Sequence, residues 1–202
     1  MLTKEQLRIL SVFKKDIFAG MTFKQIKQGS RQKSNNMVQI AIKEFQKQEI
    51  IKSKKIGDVT VYSLNLDSGL ALSYLNIINE AEISESKLLK KILKDIQKRI
   101  FKQTEFFILI VFGSYAKGNA SKSSDLDIAV IVESTQTKHD IVPFLETIKR
   151  REITPIDHHI FTRTEFLEML RKDFENVGKQ IFKGGVVYYG YIPYCNLLNA
   201  RI

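Results

Sequence analysis

The sequence predicts an α+β chain: a basic, helix-rich segment over 1–66, a helical connector over 67–104, and a small α/β domain with a mixed sheet over 105–202. Three observations carry this. Apolar residues recur at helical spacing through the first half of the chain. Two β-branched runs, residues 108–112 and 128–132, flank a polar, glycine-containing stretch and read as buried strands. The charge is also uneven. Residues 1–66 hold 13 Lys+Arg against 5 Asp+Glu, residues 67–104 hold 7 against 5, and residues 105–202 hold 12 against 12.

Several function classes fall away at once. No apolar run approaches the roughly 18 residues of a membrane span, and the opening MLTKEQLRIL lacks a secretory h-region, so the expectation is a cytoplasmic protein. Cys195 is the only cysteine, which excludes an intrachain disulfide and a thiolate zinc cluster; it reads as a small near-surface hydrophobe. The local basic excess favours a polyanion such as nucleic acid, against the plainer reading of a solvated lysine-rich surface.

In chain order, Thr3 with Gln6 is a capping-box pattern, and Leu7, Ile9, Leu10, Phe13 and Ile17 continue a helix up to Gly20. Thr22 with Gln25 repeats the signature for a short helix with Phe23 and Ile26 inward, punctuated by Gly29-Ser30. Val38, Ala41, Ile42 and Phe45 mark a third helix from about Ser34 to Gln48. Two strand-like runs about Gly57-Asp58 then read as a hairpin. This layout, and the wording EFQKQEIIKSKKIGDVTVYSLN, resembles a winged helix-turn-helix. The resemblance implies that the third helix enters a major groove of double-stranded DNA and that the wing touches the adjacent backbone. It makes Arg31, Lys33, Asn35, Asn36, Gln39 and Lys43 candidate contacts, with Lys52, Lys54 and Lys55 on the wing. The lysines would neutralise phosphates, and Asn and Gln would read adenine edges.

In the connector, Leu70, Leu72, Leu75 and Ile78 suggest one helix. After Glu82 and Ser84, a second runs through Leu88, Leu89, Ile92, Leu93, Ile96 and Ile100. Its broad apolar stripe must cover the following domain or another subunit, and such a stripe also serves dimerisation; a homodimer is expected, since winged-helix modules pair on symmetric sites.

In the last segment, Gly113 lets backbone approach a ligand closely, and the amides after it can begin a helix or anion nest. Asp125 and Asp127, two apart on a strand, project together, with Leu126 on the other face. Adjacent carboxylates repel, and a divalent cation is the usual remedy. A helix follows through Ile141, Phe144, Leu145 and Ile148. Residues 153–161 then form a strand with Asp157 and His159 on one face and His158 on the other. Adjacent strand histidines do not share an ion easily, so neither is a leading metal ligand. Thr162 with Glu165 caps a helix through Phe166, Leu167, Leu170 and Phe174. GKQIFKGGVVYYG gives a helix end, a double-glycine break and a short strand, and residues 191–202 carry no assignment.

The wording FGSYAKGNASKSSDLDIAVIV resembles the DNA polymerase β-like nucleotidyltransferase superfamily, and within it the small prokaryotic, minimal nucleotidyltransferases, over about residues 105–190. The resemblance implies that Gly113, Ser114 and Ser124 hold an NTP substrate, that Lys117 neutralises phosphate charge with Lys122 as a weaker candidate, and that Asp125 and Asp127 bind Mg²⁺ or Mn²⁺. A third catalytic and metal-binding carboxylate is expected on a neighbouring strand; Asp157 is the candidate. The function implied is transfer of a nucleoside monophosphate to a protein hydroxyl, as in a toxin-like partner, or to an RNA such as tRNA. The alternative is a DNA-binding regulator or antitoxin whose second domain senses nucleotide or binds a partner without turnover.

Overall fold

The computed structural model describes residues 1–200 and divides the chain into two units, Met1–Asn79 and a second beginning at Glu80. The three expected segments thus become two units. The connector is shared between them, its first helix α4 (Gly69–Glu85) carrying the chain across the boundary. Among the described residues no helix is long and apolar enough to cross a membrane.

The first unit opens with α1 (Lys4–Leu10), capped reciprocally by Thr3 and Gln6. The spacing predicts continuous α-helix to Gly20, but the chain tightens into a 3-10 turn at Ser11–Lys15 and ends at Asp16, whose carboxylate accepts from the Phe18 amide at 3.0 Å. Strand β1 (Met21–Thr22) leads into α2 (Phe23–Gly29), capped by Thr22 and Gln25. Helix α3 (Asn35–Lys47) buries Val38, Ala41, Ile42 and Phe45, as their spacing predicts. β2 (Ile51–Ile56) and β3 (Val59–Leu64) form the hairpin, its turn opened by Gly57 at φ 58°. β1, too short for any pattern to announce, adds a third strand in the order β1-β3-β2.

The sequence places the end of α2 at Gly29-Ser30. The residue that turns the chain is Arg31, at φ 52°. The Gln32 amide donates to the Lys27 carbonyl at 3.1 Å and the Arg31 amide to that of Gln28 at 3.0 Å, the paired bonds of a Schellman ending. Gly29 is needed for space instead, since a Cβ there would lie 2.6 Å from Val12 Cγ1.

In the second unit, β4 (Phe107–Val111) pairs antiparallel with β5 (Leu126–Val132), β5 pairs parallel with β6 (Ile156–Thr162), and β7 (Val186–Tyr189) pairs antiparallel with β4. The sheet is therefore mixed, in the order β6-β5-β4-β7. Helix α7 (Thr135–Arg151) makes the crossover that a parallel pair requires and buries Ile141, Leu145 and Ile148. Helix α5 (Lys90–Ile100) begins later than its sequence pattern suggests, because α4 continues through Glu82 and Ser84. Leu93, Ile96 and Ile100 are buried in the core with β4 and β5. These residues of the stripe thus cover β4 and β5 of their own unit.

Helix α8 (Arg163–Arg171) has the expected Thr162–Glu165 box but stops short of Phe174, which is exposed, with the Lys172 ammonium 5.5 Å from its ring centre. After α9 (Val177–Gly184), Gly185 lies so close to the Ile181 carbonyl that a Cβ would sit 2.5 Å from it. The unassigned C-terminal stretch forms α10 (Tyr191–Asn199), which packs on β4 and β7. Cys195 is buried there at 1% exposure rather than near the surface. Residues 201–202 lie outside the described residues.

Candidate active site

The sheet brings the predicted acidic residues to one end. β4 runs out at Val111 and Phe112, and the chain enters a short helix α6 (Gly113–Lys117) closed by Gly118 at φ 72°. The Phe112 amide donates to the Asp127 carbonyl at 3.0 Å, which fastens this turn to the start of β5. Gly113 has φ 66°, and a Cβ on it would overlap Asp127 Oδ2. The backbone of Gly113 therefore lies close against the Asp127 carboxylate.

Leu126 is fully buried between Asp125, which is exposed, and Asp127, which is half-buried, as strand alternation predicts. The Leu126 amide donates to the Pro155 carbonyl at 2.8 Å and starts the parallel ladder there. In that register Asp127 stands opposite Asp157, neighbouring strands being roughly 4.8 Å apart. Burial, then the charges of Asp157 and Asp125, hold the Asp127 carboxyl above its ordinary value, while His159 opposes the rise. Three carboxylates thus share one electrostatic neighbourhood.

His159, which the alternation puts on the face of Asp157, lies beside that carboxylate. Its Nε2 lies 3.3 Å from Asp157 Oδ2, and its ring stacks on Phe161 at 6.0 Å with Phe112 5.8 Å away. The period-2 alternation carries the signal by placing it on the face of Asp157. His158 points elsewhere, with Nε2 3.5 Å from Glu146 Oε1, and burial depresses its pKa.

Among the described residues no three His, Cys, Asp or Glu side chains converge tightly enough to hold an ion as they stand. The donor chemistry nevertheless fits a hard divalent cation. The three groups are carboxylates, and the Asp127 carboxyl is raised first by burial and then by Asp157 and Asp125, both of which a cation would offset.

The other candidates are placed as follows. Ser114 lies in the first turn of α6, half-buried, and Lys117 is exposed in its last turn. Lys122 is exposed in the following loop. The Ser124 hydroxyl accepts from the Ser121 amide at 2.8 Å and lies 3.1 Å from the Ser121 hydroxyl, so it closes the loop before Asp125.

In the first unit Arg31, Lys33, Asn35, Asn36, Gln39, Lys43, Lys52, Lys54 and Lys55 are all exposed. Asn35 Oδ1 accepts from Lys27 Nζ at 2.6 Å, and Lys52 pairs with Asp67 at 2.9 Å, so these two are partly engaged.

Residues 94–190 match the family model described as Polymerase beta, Nucleotidyltransferase. The match begins within α5 and ends after β7, taking in the whole mixed sheet and the acidic cluster. No curated protein matches the chain.

Proposed function

We propose that the second unit is a metal-dependent nucleotidyltransferase moving a nucleoside monophosphate from an NTP to a protein or RNA hydroxyl, and that the first is a winged helix-turn-helix that binds duplex DNA. The family match supports nucleotidyl transfer in general. The observation that carries the finer reading is the cross-strand pairing of Asp127 with Asp157, directly against Gly113.

Asp125, Asp127 and Asp157 are the residues that would hold Mg²⁺ or Mn²⁺. Such a cation would supply charge to neutralise phosphate oxygens and to acidify the attacking hydroxyl. The amides of the Gly113 turn and the Ser114 hydroxyl receive the triphosphate, and Lys117 adds positive charge beside it. The acceptor oxygen bonds to the α-phosphorus, the bond to the bridging oxygen breaks, and pyrophosphate leaves with that electron pair. The hydroxyl proton passes to Asp157, which His159 orients.

The test is to incubate the full chain with labelled NTPs, Mg²⁺ and candidate acceptors, beside Asp127→Asn. Wild type should transfer label and the variant should lose roughly a hundredfold or more, the scale of a missing metal ligand. Equal labelling by both would refute the assignment.

A second reading has its own support in the basic excess of residues 1–66 and the exposed lysines of β2. On it the chain is a DNA-binding regulator or antitoxin whose second unit senses nucleotide. Nucleotide-dependent change in duplex affinity without any transfer would favour it.

A further inference from the structure

The outward face of α3 holds one apolar side chain among polar ones. Val38, Ala41, Ile42 and Phe45 take up the inward face. Ile40 is left 48% exposed, although helical spacing would have allowed a polar residue there without loss to the core. Asn36, one turn before it, and Gln39 beside it are exposed amides, and Lys43, one turn after, is an exposed ammonium. The nearest acid on this helix, Glu44, is half-buried and accepts the Gln48 side-chain amide at 2.5 Å.

We propose that this face reads A·T base pairs in the major groove, with Ile40 packed on a thymine methyl. The inference rests on the DNA-binding reading of the first unit and adds the base specificity. Each group matches one element of the A·T edge. A carboxamide donates to N7 and accepts from N6 of adenine, and thymine alone among the bases presents a methyl group in that groove. Lys43 supplies charge for the flanking phosphates. The excess of 13 Lys+Arg over 5 Asp+Glu in residues 1–66 makes the surface complementary to a polyanion. A second copy of the chain is the poorer occupant, since covering Ile40 would also desolvate two amides and an ammonium for a single apolar side chain.

The test uses the full chain and duplexes selected from a random library. Selected sites should contain adjacent adenines and thymines. Replacing one of those thymines by deoxyuracil, which removes only the methyl, should weaken wild type about fourfold, the worth of one buried methyl. Ile40→Ala, at an exposed position, should fold normally and bind both duplexes alike, with unchanged salt dependence. Equal wild-type affinity for thymine and deoxyuracil at every position overturns the proposal, as do sites of G·C pairs alone. Loss of self-association in Ile40→Ala also overturns it, in favour of a second copy on this face. Failure to bind any duplex is a separate result and removes the DNA-binding reading itself.

Discussion

At the scale of residues, Gly113 and Asp127 carry two requirements that a substitution can separate. Gly113 needs both its left-handed backbone and the space that Asp127 Oδ2 occupies, whereas Gly118 is also left-handed but has open space around it. Alanine at either site should cost about 1–2 kcal/mol of backbone strain. Only Gly113→Ala should also displace Asp127, so transfer should fall by more than roughly tenfold there and stay near wild type in Gly118→Ala. Asp127 makes a further prediction. Its carboxyl is held above the ordinary value by burial and by Asp157 and Asp125, so the folded state favours the protonated form. Stability from this group is complete below the unfolded carboxylate value and is lost as pH rises through the raised folded value. Asp127→Asn should therefore resist denaturant better than wild type at neutral pH, with the advantage shrinking in acid. Denaturant melts at the two pH values measure it. These residue identities are legible in the sequence because Gly-Ser and Asp-x-Asp are local patterns. The pairing of Asp127 with Asp157 is only half legible: alternation gives the face of Asp157, but register depends on the Leu126-to-Pro155 hydrogen bond, which joins distant parts of the chain.

At the scale of elements, what the sequence conceals lies mostly at the ends. The three threonine capping boxes are readable because each places two residues at fixed spacing, and all three form. The endings of α2 and α3 are not, because left-handed turns normally announce themselves by glycine. Here Arg31 and Glu49 fill those positions. For α3 the Ile50 amide donates to the Phe45 carbonyl at 2.8 Å and the Glu49 amide to that of Gln46 at 3.0 Å, with Phe45 and Ile50 both buried. That hydrogen bonding and apolar burial hold Glu49 at φ 54° despite its side chain. Glu49→Gly should therefore stabilise the protein by about 0.5 kcal/mol, the left-handed cost relieved less the added chain entropy of glycine. A denaturant midpoint shifted down instead would show that the side chain contributes more than its backbone costs. Helix α10 escapes sequence reading for another reason. Its buried Tyr191, Tyr194, Cys195 and Leu198 do stand at i, i+3, i+4 and i+7, but Pro193 falls inside that short pattern and reads as a break, although in the first turn it is tolerated.

At the scale of the whole molecule, the basic excess falls mainly in the first unit: residues 1–79 hold 13 Lys+Arg against 6 Asp+Glu, and residues 80–202 hold 19 against 16. The sequence reading sets a connector over 67–104, whereas the first unit runs to Asn79: Ala71, Leu72, Tyr74, Leu75 and Ile78 of α4 are buried and the Tyr74 hydroxyl accepts from the Leu2 amide at 3.2 Å. The basic unit makes a prediction about ions. Replacing Lys54 and Lys55 by glutamine should flatten the dependence of log affinity for duplex DNA on log salt by about 1.8, or 0.9 for each phosphate left without its lysine. Lys52→Gln should change it less, since that lysine already faces Asp67. The central claim concerns the other unit, that three carboxylates and the Gly113 turn form one metal-dependent nucleotide site. Its most direct measurement is calorimetric titration of a non-hydrolysable NTP analogue into the full chain, with and without Mg²⁺, for wild type and Asp127→Asn. The account predicts one analogue bound per chain, only when Mg²⁺ is present, and none in the variant. Binding of equal strength without metal, or undiminished in Asp127→Asn, would contradict it.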